Sequence, residues 1–151
     1  MILSWGKCKI AVSPVDGTGA ISFGTVPTPV ENSTSLETTQ GDKQEAKTEG
    51  GEIVAVRYGS NSYQLVFDCF VDSELAVPAM GKDGIVAGEY SVTITNEENK
   101  KAAVVTINRA TCNAQIMYSS EEGIKVRYTF SSVKDTTGDT DQVTITKGAG
   151  E

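Results

Sequence analysis

Apolar and polar residues alternate with a period of two along most of this chain, and each such run predicts a strand with one buried face. Lys7 to Val12 places Cys8, Ile10 and Val12 on one side. Ala20 to Val26 places Ile21 and Phe23 together, and Val15-Asp16-Gly17-Thr18-Gly19 before it reads as a turn, so these two runs predict a first hairpin. Glu52 to Tyr58 puts Val54, Val56 and Tyr58 on one face. Gly59-Ser60-Asn61-Ser62 then leads into Tyr63 to Phe70 with Leu65, Phe67 and Cys69 alternating, the strongest hairpin signal in the sequence. Glu89 to Thr95 and Ala102 to Ile107 predict another across Asn96 to Asn99. Thr111 to Tyr118 and Ile124 to Ser131 predict a further one across Ser119 to Gly123, with Ile124, Val126, Tyr128 and Phe130 facing one way. Gln142 to Thr146 adds an edge strand with Val143 and Ile145 inward. Only Val71 to Met80 looks helical, with Asp72 or Ser73 as cap and Pro78 as stop. Eight or nine strands in antiparallel hairpins, without strand-helix-strand alternation, predict an all-β sandwich or half-barrel.

One stretch breaks the pattern. Residues 28 to 56, TPVENSTSLETTQGDKQEAKTEGGEIVAV, separate two alternating runs with a mostly polar segment that builds no core by pattern. Loops beyond about 12–15 residues without structure of their own are uncommon in compact domains, and are usually functional or disordered. Its glycines, acids and lysines predict an arm, residues 28–52, that folds against something else.

The chain has 151 residues, enough for one domain with a single self-sufficient core. Thirteen basic against twenty acidic residues give a net charge of −7, which opposes any mechanism built on neutralising phosphates. Residues 1 to 12 show no long apolar stretch with a small-residue cleavage pattern, and no window approaches the roughly 18–20 apolar residues of a membrane span. A cytoplasmic origin is expected. Cys8, Cys69 and Cys112 are odd in number and widely spaced, and each shares parity with apolar neighbours, so they read as buried, reduced, inert thiols.

The chain has no histidine, which removes the usual nucleophile-activating base and the commonest metal ligand together. Glu97-Glu98 and Glu121-Glu122 fall in turns, where solvated acids are the default. Asp135, Asp139 and Asp141 lack EF-hand spacing. Gly50-Gly51 and Gly17-x-Gly19 precede no helix pattern and read as turns, not phosphate cradles. Lys125, Arg127 and Lys134 share no face with an aromatic platform, so a solvated or subunit-facing sheet surface is expected of them. Trp5 is placed to anchor the N-terminus to this domain or to a neighbour. No catalytic residues, cofactor or metal site are expected, and no enzyme.

With these residues in view, Leu3-Ser4-Trp5-Gly6-Lys7, the Val26 to Leu36 entry, the Gly41 to Val56 segment with its Glu49-Gly50-Gly51-Glu52 exit, and Asp83-Gly84-Ile85-Val86-x-Gly88-Glu89-Tyr90 resemble the tail tube proteins of bacteriophages and related contractile injection systems, including the tube protein of type VI secretion. The resemblance covers roughly residues 1 to 133; the tail from Asp135 carries nothing of that pattern. It implies a β-sandwich or half-barrel that joins five others in a homohexameric ring. Rings would stack into a hollow tube, with other tail proteins as further partners and no membrane. The tube would be built in the bacterial host cytoplasm and end in the virion tail. The long loop would reach an adjacent subunit or the next ring through Leu36, Lys43, Glu45, Lys47, Glu49, Gly50, Gly51 and Ile53. Six copies at −7 each carry −42, a wall past which DNA slides without tight binding. The competing expectation is a β-sandwich binding module, adhesin-like or carbohydrate-binding, which would display exposed aromatics; Tyr58, Tyr63, Tyr90 and Tyr118 mostly fall on apolar faces.

Overall fold

The computed structural model describes residues 1–15, 26–71, 83–134 and 141–148. These carry nine strands and no helix: β1 (Cys8–Pro14), β2 (Ser35–Thr39), β3 (Lys43–Lys47), β4 (Ile53–Tyr58), β5 (Ser62–Phe70), β6 (Ile85–Asn96), β7 (Val104–Ser119), β8 (Gly123–Ser132) and β9 (Val143–Thr146). Seven of them make one sheet in the order β1-β6-β7-β8-β5-β2, with β9 beside β7, and β3 and β4 make a separate pair. All pairings are antiparallel. The all-β, antiparallel half-barrel expected from the alternation is what forms.

One face of the sheet is apolar because β1, β5, β6 and β8 each turn apolar residues of a single parity inward. Ile10 and Val12, Leu65, Phe67 and Cys69, Val86, Tyr90 and Val92, and Val126, Tyr128 and Phe130 form a single buried cluster. The outer strands approach each other, with Cys8 Sγ at the start of β1 lying 3.7 Å from Thr34 Oγ1 just before β2. Phe67 sits at the centre, its ring 5.5 Å from Tyr128 and 5.8 Å from Phe130.

The longest strand is bent. Val92 opposes Ile107 while Tyr90 opposes Ala110, so two steps along β6 match three along β7, and the extra residue turns both Ile107 and Ala110 inward despite their opposite parity. Arg109 and Asn108 occupy the bulge. There β7 exchanges neighbours: β9 flanks Val104–Ile107 and β8 flanks Ala110–Ser119. Asn108 ties the junction, its amide donating to the Asp141 carbonyl and to Thr144 Oγ1 at 2.9 Å. Sequence parity breaks at this bulge, which is why Ala102–Ile107 and Thr111–Tyr118 read as two strands where one exists.

Several expectations are corrected. The predicted hairpin between Glu52–Tyr58 and Tyr63–Phe70 does not form: β4 pairs with β3, and β5 lies between β8 and β2. Residues 28–52 are not a structureless loop, since they contain β2 and β3. Val143 packs against the core, but Ile145 on edge strand β9 is 71% exposed instead of inward. The run Lys7–Val12 is a strand, yet it pairs with β6; its predicted partner lies almost entirely outside the described residues, as do the helical turn over 72–80, Asp135 and Asp139. The expected β6–β7 and β7–β8 hairpins both form.

The three thiols are free, Cys69 and Cys112 buried and Cys8 half-buried. Desolvation, with the Asp68 charge adding to it, pushes Cys69 up to about 11, and desolvation pushes Cys112 up to about 12. Because the folded values lie above the unfolded one, these thiols leave stability unchanged below about pH 9 and withdraw it as pH rises through the folded values. Native protein at pH 8 should therefore release one equivalent of chromophore quickly from an aromatic disulfide reagent, through Cys8, and three after denaturation. Rapid reaction of all three in the native state would contradict this core.

Candidate functional site

The arm is a β-ribbon with a break in it. Its base is the β2–β5 pair, running from Ser35 opposite Val66 to Thr39 opposite Ser62, and its far half is the β3–β4 pair, from Lys43 opposite Tyr58 to Lys47 opposite Ile53. Gln40–Asp42 and Gly59–Asn61 form the neck between them. Gly59 N donates to the Asp42 carbonyl at 2.7 Å, and Gly41 N donates to Asn61 Oδ1 at 3.0 Å. The two backbones pass so closely that a Cβ on Gly41 would lie 2.2 Å from the Gly59 carbonyl oxygen. Gly41→Val should thus displace the hairpin without touching the core: the unfolding free energy should move by less than about 1 kcal/mol, and if the hairpin mediates self-association, light scattering should show it weakened at least about tenfold.

At the far end the ribbon closes on Thr48–Glu52. Thr48 N donates to the Glu52 carbonyl and Gly51 N to the Thr48 carbonyl, each at 2.9 Å, and Gly51 holds φ +85°, a conformation glycine adopts without strain. Val54 is the extra residue of a bulge, lacking a partner between Ile53 and Ala55.

Every residue of β3 and β4 is exposed. Register places Lys43, Glu45 and Lys47 on one face with Tyr58, Val56 and Ile53 directly opposite, while Gln44, Ala46, Ala55 and Arg57 take the other. Lys43 Nζ and Lys47 Nζ share the Glu45 carboxylate at 2.8 and 3.6 Å. Beside this charged row runs an uncovered apolar one: Ile53 is 52% exposed, Val54 65%, Val56 44% and Tyr58 69%. An isolated two-stranded hairpin is marginal in water, and a strand this rich in β-branched and aromatic residues is an open edge for pairing. The outer edge of β3 is guarded by charge, whereas β4 carries a single charge, Arg57. Burying those four side chains makes several kcal/mol available, on the order of 1.5–3 kcal/mol for each one fully covered.

The residues expected to form the interface are thus mostly together. Lys43, Glu45 and Lys47 stand on β3, Glu49, Gly50 and Gly51 in the tip, and Ile53 on β4. Leu36 is the exception, because it packs on this chain's own core opposite Leu65. Val56 and Tyr58 are the surface residues that sequence reading misses; their alternation resembles that of a core strand. The informative signal was Gly50-Gly51 between two short runs, a dipeptide that favours a hairpin turn.

Elsewhere four basic positions are tied to acids. Arg127 Nε lies 2.9 Å from Asp68 Oδ1 on the neighbouring strand, and hydrogen bonding to Asp68 raises the guanidinium further above its ordinary range. Lys125 pairs with Glu122, Arg109 lies 2.9 Å from Glu89, and Lys7 lies 3.0 Å from Glu97. Trp5 is 78% exposed, its carbonyl accepting from Asn96 Nδ2 at 2.6 Å. Among the described residues no group of three or more histidines, cysteines or acids is placed to hold a metal ion, and no helix is long and apolar enough to cross a membrane.

Set beside known proteins, the chain matches no family model and no curated sequence.

Proposed function

We propose that this chain is a structural subunit of a phage-type tail tube, assembling into homohexameric rings that stack into a conduit for DNA or effectors, with no catalytic role. The single observation that carries the subunit role is the β3–β4 hairpin, which stands clear of its own core with Ile53, Val54, Val56 and Tyr58 uncovered. A side-chain row of that kind gains its burial from another molecule. The tube itself rests on the resemblance of the Leu3–Lys7, Val26–Leu36, Gly41–Val56 and Asp83–Tyr90 segments to tail tube proteins. The protein would then be built into the virion tail from the host cytoplasm.

A glycan-binding sandwich would instead gather exposed aromatics on one platform. Tyr58 and Tyr118 are both exposed, but they sit near opposite ends of β5, one on the hairpin and one at the β7–β8 tip.

Purified protein concentrated at low salt should give annular particles or rods by negative-stain electron microscopy, with a mass near six subunits per ring by light scattering. A monomer at every concentration would remove the proposal.

A further inference from the structure

β2 has something different at each end. Beyond Thr39 the chain enters the neck and the hairpin; before Ser35, residues 28–32 and Thr34 line a cleft of about 540 Å³ together with Gly6–Cys8 and Glu98. The cleft lies at the seam where the two outer strands approach each other, marked by the 3.7 Å contact of Cys8 with Thr34. Half-buried Cys8, Pro29 and Val30 give it apolar walls. Its charged lining residues are Glu31, Glu98 and Lys7. Neighbouring Glu97 is taken up by Lys7, but among the described residues neither Glu31 nor Glu98 is paired with a lysine or arginine. The Glu98 carboxylate lies against Gly6, where a Cβ would come 2.8 Å from Oε2.

The hairpin is the complement of this surface. Lys43 and Lys47 divide one carboxylate, Glu45, leaving positive charge in excess on the same face as Ile53, Val56 and Tyr58. The cleft has apolar walls and two acids that, among the described residues, have no lysine or arginine partner, its one lysine, Lys7, being held by Glu97. We infer that it receives the β3–β4 hairpin of a second copy, with Lys43 and Lys47 meeting Glu31 and Glu98 while the apolar side chains of β4 cover Pro29 and Val30. The inference rests on the assembly reading above and names the surface on which the hairpin lands.

A chain cannot fill its own cleft this way. The hairpin leaves the far end of β2, about 17 Å from the cleft at roughly 3.4 Å per residue, and runs onward from it. The contact is therefore head to tail, one surface meeting a different one, which propagates around a ring if the rotation closes.

Charge exchange tests it. Glu31→Lys/Glu98→Lys gives a chain with a basic cleft and a native hairpin; Lys43→Glu/Lys47→Glu gives a native cleft and an acidic hairpin. Each alone should raise the concentration for half-assembly about tenfold or more. Mixed one to one, every hairpin finds a cleft of opposite sign, and assembly should recover to near the wild-type concentration. Wild-type assembly by either variant alone, or no recovery on mixing of folded variants, overturns the inference and leaves the assembly reading standing. A wild-type chain that never associates removes both. A second measurement does not depend on charge: Ile53→Cys oxidised with copper-phenanthroline should give a ladder of disulfide-linked multimers, since Cys69 and Cys112 are buried and Cys8 is not. Cys8→Ser should abolish the ladder, and its absence or its persistence without Cys8 counts against the cleft.

Discussion

Excising residues 42–58 and joining Gly41 to Gly59 should yield a folded, strictly monomeric protein. The cut leaves Thr39 opposite Ser62, so β2 and β5 become an ordinary hairpin closed by Gln40, Gly41, Gly59, Ser60 and Asn61. No member of the buried cluster is removed, since the core residues of β5 begin at Leu65. Circular dichroism and the denaturant midpoint should stay close to wild type, while light scattering and electron microscopy should show loss of every oligomer. A shorter cut through Thr38 to Glu49 is a poorer test, because it destroys part of β2 and leaves β4 without its partner. Full assembly by the 42–58 deletion would show that the hairpin has no part in association.

The second large effect lies at the opposite extreme of burial. Phe67→Ala should cost about 3–5 kcal/mol of unfolding free energy, read from denaturant melts at constant slope. The side chain is fully buried on the central part of β5 and packs on both Tyr128 and Phe130 of β8. Truncation removes the transfer term and leaves a cavity that two neighbouring rings, fixed by a shared strand, are poorly placed to fill. A loss below about 1 kcal/mol would mean that this aromatic layer is loosely packed. By contrast Tyr58→Ala should leave the melt nearly unmoved and appear only in association, because the ring is exposed in the single chain.

These two outcomes also mark where sequence reasoning succeeds. Alternation reports one-sided burial, so strands with one face on the core, such as Tyr63–Phe70 and Ile124–Ser131, are legible, with Leu65, Phe67, Cys69, Val126, Tyr128 and Phe130 inward and only Ile124, at the strand's start, left 46% exposed. The same signal is silent for β3, whose five residues are exposed on both faces and follow no period. It misleads for β4, where Val54, Val56 and Tyr58 alternate like a core strand but face outward. Partner choice is a further quantity that local pattern does not carry. Gly59-Ser60-Asn61 has turn chemistry, yet it serves as half of a neck whose other half, Gln40-Gly41-Asp42, lies some twenty positions earlier. Leu36 shows the reverse error: placed in a polar arm it looked available to a neighbour, but the β2–β5 register turns it onto the chain's own core. The bulge at Asn108–Arg109 hid the continuity of β7 for a similar reason, since one added residue inverts parity without ending a strand.

If the hairpin docks as proposed, donor and acceptor at opposite ends of one short strand would give a growing assembly a direction. An unfinished arc would show an empty slot at one terminus and a bare strap at the other, so newcomers would dock in a single orientation. A copy stripped of its strap would still accept its neighbour's strap but offer none onward, and would act as a chain terminator at that end. Each such copy, made alongside the intact one, would close one end of one arc and shut out every intact subunit that would have followed there.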